Sequence, residues 1–365
     1  MPPSLPPNCQ RISHVQRTIS TNSLLHQKLE NPYFALYDDA FLDIVGSDPS
    51  ITLAVEKDYP FAHEVGVYIP DQDAVYVTSS PLRPAGSTEQ TIKISKLSRL
   101  HDGSWRSEEV PTSVPMGNGG INYQSGVLFC GQGTTTEAGG LMYMEGTLPY
   151  SVSTLIDSYH GRLFNSVNDV VTHTDGSIWF TDPIYGYEQG FRNKPQLPCQ
   201  VYCFDPISGD VRVVADGFGR PNGLCFSPDE ATMYITDTDW IHGDGTVDPL
   251  RASTIYAFDV IERHGSQFLA NKRVFAMADC GIPDGIKCDV QGNVYSGCGD
   301  GVNVWSAGAK LVGKIMIPGG VANFCFTRKG ELAVLNETRF WIVRISESRQ
   351  GALLANLRID SEGGK

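Results

Sequence analysis

The sequence predicts an all-β protein in which one structural unit is repeated around an axis, and three observations carry that prediction. First, one layout recurs at Phe164 to Tyr187 (FNSVNDVVTHTDGSIWFTDPIYGY), Arg220 to Thr238 (RPNGLCFSPDEATMYITDT) and Gly281 to Cys298 (GIPDGIKCDVQGNVYSGC). An Asn or Asp heads a short apolar strand, a tight turn follows, and an aromatic-bearing strand returns. Second, 38 glycines and 22 prolines are spread along 365 residues, as many short strands joined by turns require. Third, helical periodicity of useful length is absent, so the expectation is all-β throughout.

Taken in order, residues 1–30 (MPPSLPPNCQRISHVQRTISTNSLLHQKLE) read as a flexible or surface-draped tail, rich in Pro, Ser, Asn and basic residues. This stretch lacks the apolar core of a signal peptide, and its early prolines oppose an amphipathic presequence. Residues 31–365 are expected to form a single domain. Ile51 to Val55 is a strand that stands apart from the repeats. His63 to Tyr68, the turn at Pro70 to Asp73 and Ala74 to Thr78 give the first repeat, headed by Glu64. Asn118 to Tyr123 and Val127 to Cys130 give the next.

Six second strands follow from this count: Ala74–Thr78, Val127–Cys130, Ser177–Thr181, Thr232–Thr236, Asn293–Gly297 and Glu331–Leu335. Their irregular separations match four-stranded antiparallel blades with variable loops, a six-bladed β-propeller. Outer strands are legible as well, at Val201–Asp205 with Val211–Val214 and at Ile255–Val260 with Arg273–Met277. The last repeat has three strands of its own, Asn323–Phe326, Leu332–Leu335 and Phe340–Ile345. Open edges invite aggregation, so Ile51–Val55 is expected to supply its fourth and close the ring, with Leu353–Ile359 as the competing strand.

Bulk properties narrow the function. Net charge is −13 and the isoelectric point about 5.0, which disfavours a nucleic-acid groove or a polyanionic membrane surface but suits a cation. No apolar run reaches the ~18 residues of a membrane helix. Nine cysteines, an odd number without scaffold spacing, lie mostly in apolar strands and read as reduced thiols of a cytoplasmic protein. There is no Gly-x-Ser-x-Gly elbow for a serine hydrolase.

Four strand heads, Glu64, Asn168, Asn222 and Asp284, come from four repeats, and inner strands of a propeller line its axis. They offer oxygen alone, two carboxylates and two amides, a set suited to a hard divalent cation such as Ca²⁺ or Mg²⁺ rather than structural zinc. The bland alternative is that Asn-Gly and Asp-Gly simply mark turns. His63, next to Glu64, is expected on the opposite strand face, in packing. Asp182 and Asp237, at the ends of second strands, are expected to serve turns and hydrogen bonds between blades. Two long loops, Asp182–Gln200 and Asp239–Ser253, are candidates for specificity, with Tyr185 the substrate-binding candidate of the aromatic-rich first one.

The segments NSVNDVVTHTDGSIWFTDPIYG, PNGLCFSPDEATMYITDT and IPDGIKCDVQGNVYSGCGDGVNVW resemble the signature segments of the gluconolactonase, regucalcin and luciferin-regenerating enzyme family. HEVGVY, GNGGINYQSGVLFCGQG and CGDGVNVW are similar to its fungal lactonohydrolases in particular, and the resemblance runs from about Tyr33 to Ile345. It implies a six-bladed propeller with one central divalent metal, usually Ca²⁺, with Mg²⁺, Mn²⁺ and Zn²⁺ also tolerated among relatives. The metal ligands of the family fall on Glu64, Asn168, Asn222 and Asp284, with Asp284 also the proposed general acid/base, and Asn122 falls near a substrate-pocket position. The implied activity is hydrolysis of a small-molecule lactone, with a biosynthetic isomerase or cyclase, or a non-catalytic calcium-binding propeller, as alternatives.

Overall fold

A computed structural model describes residues 5–13 and 30–363. The chain forms a mostly β six-bladed propeller of mainly four-stranded antiparallel sheets. Blade 1 runs through Glu64–Ile69, Ala74–Thr78, Ile94–Arg99 and Trp105–Val110, and blade 2 through Gly117–Tyr123, Gly126–Gly131, Gly140–Met144 and Val152–Ile156. Blade 3 is Val170–Thr172, Ile178–Asp182, Gln200–Phe204 and Val211–Ala215, and blade 4 is Pro221–Phe226, Thr232–Asp237, Thr254–Arg263 and Ser266–Met277. Blade 5 contains Ile286–Cys288, Val294–Cys298, Gly301–Trp305 and Leu311–Met316. Blade 6 contains Asn323–Phe326, Glu331–Asn336 and Arg339–Arg344, with Ser50–Glu56 antiparallel to the last of these. The first strand of each blade neighbours the first strands of the blades beside it, so these six strands ring the axis.

Burial explains the sequence pattern. Inner and second strands are enclosed on both faces by adjoining blades, so Glu64–Ile69 and Ile178–Asp182 are buried along their whole length and read as continuous apolar runs. Outer strands such as Ser266–Met277 are largely wet and carry charge. On blade 3 the core is aromatic: Phe180 stacks on Tyr202 at 5.3 Å, and Phe164 meets both rings edge-on. Such packed pairs add about 0.5–1.5 kcal/mol beyond burial alone. The hairpin turns are self-bonded, as at Asp175, whose carboxylate accepts from the Ser177 N–H (2.9 Å) while Gly176 takes φ +91°.

Three features depart from the sequence reading. Tyr33–Leu36 adds a further antiparallel strand to blade 5, against Leu311–Met316, and Cys9–Arg11 from the expected tail pairs parallel to it. Residues 14–29 of that tail lie outside the described residues. Helix α1 (Ala40–Val45) then buries Phe41 against Gly313, where any side chain would collide with the ring. The third departure is Leu353–Ile359, read as a competing strand. It belongs to helix α2 (Ala352–Gly363), whose Ala352, Leu353, Leu354 and Leu357 cover the far end of the axial channel. A short amphipathic stretch is ambiguous between the two periods, and packing across a channel mouth decides it. No helix among the described residues is long and apolar enough to cross a membrane. The nine cysteines are free thiols, six of them buried.

Candidate active site at the channel mouth

At the opposite end of the channel from α2, a cavity of about 330 Å³ is lined by Glu64, Asn168, Asn222 and Asp284. The structure therefore brings the four strand heads together. Tyr185 is there too, with its hydroxyl engaged by Thr238 Oγ1 at 2.5 Å. Asn122 is not. It follows Asn118 by four residues on the same strand, about 13 Å further along the channel at ~3.3 Å per residue. There it donates to the Tyr68 carbonyl at 2.7 Å and lines the cavity beneath α2. Blade 2 presents Asn118 at the mouth, with Gln132 from just past its second strand beside it.

Each head is set by hydrogen bonds to the next blade. Thr78 Oγ1 donates to the Asn118 carbonyl (3.0 Å), Thr181 Oγ1 to the Asn222 carbonyl (2.7 Å) and Thr236 Oγ1 to the Asp284 carbonyl (3.1 Å). In blade 2 the Gly119 N–H and the Asn118 side chain serve the Asn168 carbonyl, at 2.8 and 3.1 Å. The glycine after the head is what allows this approach. A Cβ at Gly119 would lie 2.4 Å from the Asn168 carbonyl, at Gly223 2.6 Å from the Asp284 carbonyl, and at Gly285 2.3 Å from Asn323 Oδ1. At these heads, Asn-Gly and Asp-Gly are thus close-approach motifs at the start of inner strands and not turn signals.

Asp182 and Asp237 hold the segments that lead into the heads, within their own blades. Asp182, fully buried, accepts from the N–H groups of Asn165 (2.9 Å) and Ser166 (2.8 Å), three and two residues ahead of Asn168. Asp237 repeats the device with Gly219 (3.1 Å) and Arg220 (2.9 Å), three and two residues ahead of Asn222. The threonine before each aspartate makes the bond to the next blade.

Glu64 is buried, and its Oε2 accepts from Asn323 Nδ2 at 2.7 Å. Asn118 and Asn323 are the strand heads of the two remaining blades, so all six blades carry an Asn, Asp or Glu at this level. The sequence reading missed these two, although the same signal, an amide residue opening an apolar strand, marks both. It also misplaced His63, which lines the cavity beside Glu64. Strict alternation fails because the strand starts at Glu64 and bulges at once, with Val65 at φ +74° and Gly66 at +61°. His63 Nδ1 sits 2.6 Å from Glu337 Oε1, and Ser80 Oγ donates to Glu337 Oε2 at 2.8 Å. Burial works against a charge on His63, but Glu337 outweighs it and lifts the imidazole to about 10.

Electrostatically the centre is short of positive charge. Burial, and then Glu64, push the Asp284 carboxyl well above the ordinary range, while His63 pulls the other way. Burial likewise raises Asp169 to about 6, with Lys287 opposing it. Asn168 Oδ1 and Asp284 Oδ1 are buried oxygens without a hydrogen-bond partner among the described residues. Such atoms cost about 1–3 kcal/mol each unless something satisfies them. Oxygen acceptors left open beside two carboxylates fit a hard divalent cation held by Glu64, Asn168, Asn222 and Asp284. Among the described residues no three His, Cys, Asp or Glu side chains form a metal-binding group, so the two amides are needed to complete such a shell.

The two long loops form lips around the mouth. Tyr185 and Gln189 come from the first, and Ile241, His242, Gly243 and Gly245 from the second. Arg220 ties them, pairing with Glu188 of one and Asp239 of the other, and the Gly243 N–H donates to Glu188 at 2.8 Å. On the first loop, Phe191 and Arg192 are turned inward, and Arg192 spends its guanidinium on backbone carbonyls of residues 134, 137, 164 and 165.

Comparison with known proteins agrees with this architecture. The lactonohydrolase oryL of Aspergillus oryzae is 28% identical over 319 residues, covering 82% of this chain and 70% of its own. A gluconolactonase of Zymomonas mobilis is 31% identical over 189 residues, and the match spans about half of each chain (49% and 50%). Among solved structures, a gluconolactonase from Xanthomonas campestris superposes with a TM-score of 0.67 at 25% identity, covering 87% of this chain and 95% of that one. A regucalcin from Agrobacterium tumefaciens, a calcium-binding protein, shares the fold at a TM-score of 0.58 and 17% identity, over 81% and 94% of the two chains. Residues 64–335 match the SMP-30/Gluconolactonase/LRE-like region from the first strand head through the second strand of blade 6, and the chain belongs to that family.

Proposed function

We propose that this protein is a metal-dependent lactone hydrolase whose centre is the set Glu64, Asn168, Asn222 and Asp284. The observation that carries the reading is the pair of buried, unpartnered oxygens, Asn168 Oδ1 and Asp284 Oδ1, facing Glu64 and Asn222 in one cavity. The relatives named as lactonohydrolases and gluconolactonases support the substrate class. A divalent cation held there supplies Lewis-acid polarisation of the lactone carbonyl and offsets the two carboxylate charges, with Ca²⁺ the first choice for an all-oxygen shell.

Asp284 is the group placed to move protons. Its carboxylate takes a proton from the attacking water as the new C–O bond forms at the acyl carbon. The ring C–O bond breaks, and the same proton returns to the departing alkoxide. A carboxylate beside a cation is a weak base, which suits a lactone, already an activated ester, better than an amide. Glu64, held by Asn323, keeps a second negative charge beside the cation site, and the tied loop lips carrying Tyr185 shape the entrance.

The test is proton release from a panel of aldonolactones, pantolactone and aromatic lactones. Wild type is compared with Asp284→Ala, with chelator and after Ca²⁺ is restored. Turnover lost with either change and regained with metal supports the reading. Folded, Ca²⁺-supplied wild type that leaves every lactone intact removes it.

A further inference from the structure

We propose that His63 is a further substrate-contacting residue of this site, oriented by Glu337 and Ser80 across the seam between the first and last blades; this rests on the lactone-hydrolase reading. His63 lies in the cavity wall next to Glu64 and on the same cavity as Asp284. Its Nδ1 is engaged by Glu337 Oε1 at 2.6 Å, so Nε2 is the ring atom left for the cavity, and no protein group takes it among the described residues. With its side chain 30% exposed, the ring is reachable from the mouth.

The support behind the ring is built from distant parts of the chain. Glu337 sits in the turn between the second and third strands of blade 6, at φ +58°. Its carbonyl accepts from the Ala62 N–H at 2.9 Å, directly before His63. Its other carboxylate oxygen accepts from Ser80 Oγ at 2.8 Å, just past the second strand of blade 1. Ser80 N in turn reaches the Pro60 carbonyl at 3.0 Å, and His63 N the Thr78 carbonyl at 2.8 Å. Backbone and carboxylate thus fix both the position of His63 and the rotation of its ring. A histidine needed only for packing requires no such arrangement, since packing is satisfied by shape alone. A ring fixed through one nitrogen, with the other turned to a reaction cavity, is the arrangement of a group that hydrogen-bonds a substrate oxygen.

Glu337 and Ser80 touch the ring or its holder and not the cavity, so they are positioning residues. The prediction is one of coupling. At saturating Ca²⁺, His63→Ala lowers kcat/KM on the best lactone by about tenfold to hundredfold, the range for loss of a hydrogen bond to a polarised oxygen. Glu337→Ala falls by a similar factor, Glu337→Gln, which keeps an acceptor oxygen, recovers most of it, and Ser80→Ala loses a few-fold. The double variant His63→Ala with Glu337→Ala is no worse than His63→Ala alone, because Glu337 acts through the ring. Ca²⁺ affinity by calorimetry stays within about threefold of wild type in all of them.

Multiplying losses in the double variant, or a loss that tracks weakened Ca²⁺ binding, overturns the assignment, as does unchanged turnover in His63→Ala. An inactive wild type is a different result, and it removes the hydrolase reading together with this one.

Discussion

Replacing Asp182 with Ala tests how the fold fixes the site. The carboxylate is fully buried and accepts two backbone N–H groups, from Asn165 at 2.9 Å and Ser166 at 2.8 Å. Alanine leaves both donors buried without a partner, at about 1–3 kcal/mol each, so the expected loss is roughly 2–6 kcal/mol. An unfolding entropy of ~2.1 cal/mol/K per residue over 365 residues gives about 0.8 kcal/mol/K, which converts that loss into a Tm lower by roughly 3–8 °C. The pH dependence has a definite sign. Burial raises the Asp182 carboxyl to about 7, above its unfolded value. The native state therefore binds this proton more tightly, and the group's contribution is complete below about pH 4 and is lost as pH rises through about 7. The gap between wild type and variant should be widest at or below about pH 4 and narrow toward pH 8, measured by scanning calorimetry at both. A variant within 1 °C of wild type at pH 4, or a gap that widens with pH, rules out this role for Asp182.

Two further substitutions probe the close approach of neighbouring heads and the seating of α1. Gly223→Ala places a Cβ 2.6 Å from the Asp284 carbonyl, so Asp284 must shift; Ca²⁺ affinity by calorimetry should fall at least tenfold, and wild-type affinity would contradict the close-approach role. Phe41→Ala empties a fully buried ring site between α1 and blade 5, with an expected cost of about 3–5 kcal/mol in chemical denaturation and little change in Ca²⁺ affinity. A cost below 1 kcal/mol would mean that α1 is not part of the folded core.

Much of the fold was legible because the propeller writes its repeat into the sequence. Doubly buried strands such as Ile178–Asp182 become unbroken apolar runs, and the turns carry Gly and Asp at fixed places. The converging heads were legible for the same reason, since position in the repeat stands in for position in space. What escaped was set by tertiary context. Helix α2 takes its form from the channel end it covers, and Tyr33–Leu36 is recruited by the open edge of blade 5. Asn122 has the residue type of a head but sits at the wrong end of its strand, whereas Asn118 and Asn323 had the right place. His63 was lost to strand alternation, which does not reach it because the strand begins at Glu64. The glycines after the heads look like turn residues in sequence, and only the neighbouring blade reveals that they make room for a carbonyl.

In the proposed centre, four strand heads hold one divalent cation. Calorimetric titration of chelator-treated protein with Ca²⁺ tests it most directly, in wild type, Asp284→Ala and Asn168→Ala. One site per chain is expected in the wild type, and a loss of affinity of at least tenfold in each variant with the fold intact by circular dichroism. Wild type that takes up no Ca²⁺, Mg²⁺, Mn²⁺ or Zn²⁺, or variants that bind as tightly as wild type, would contradict it.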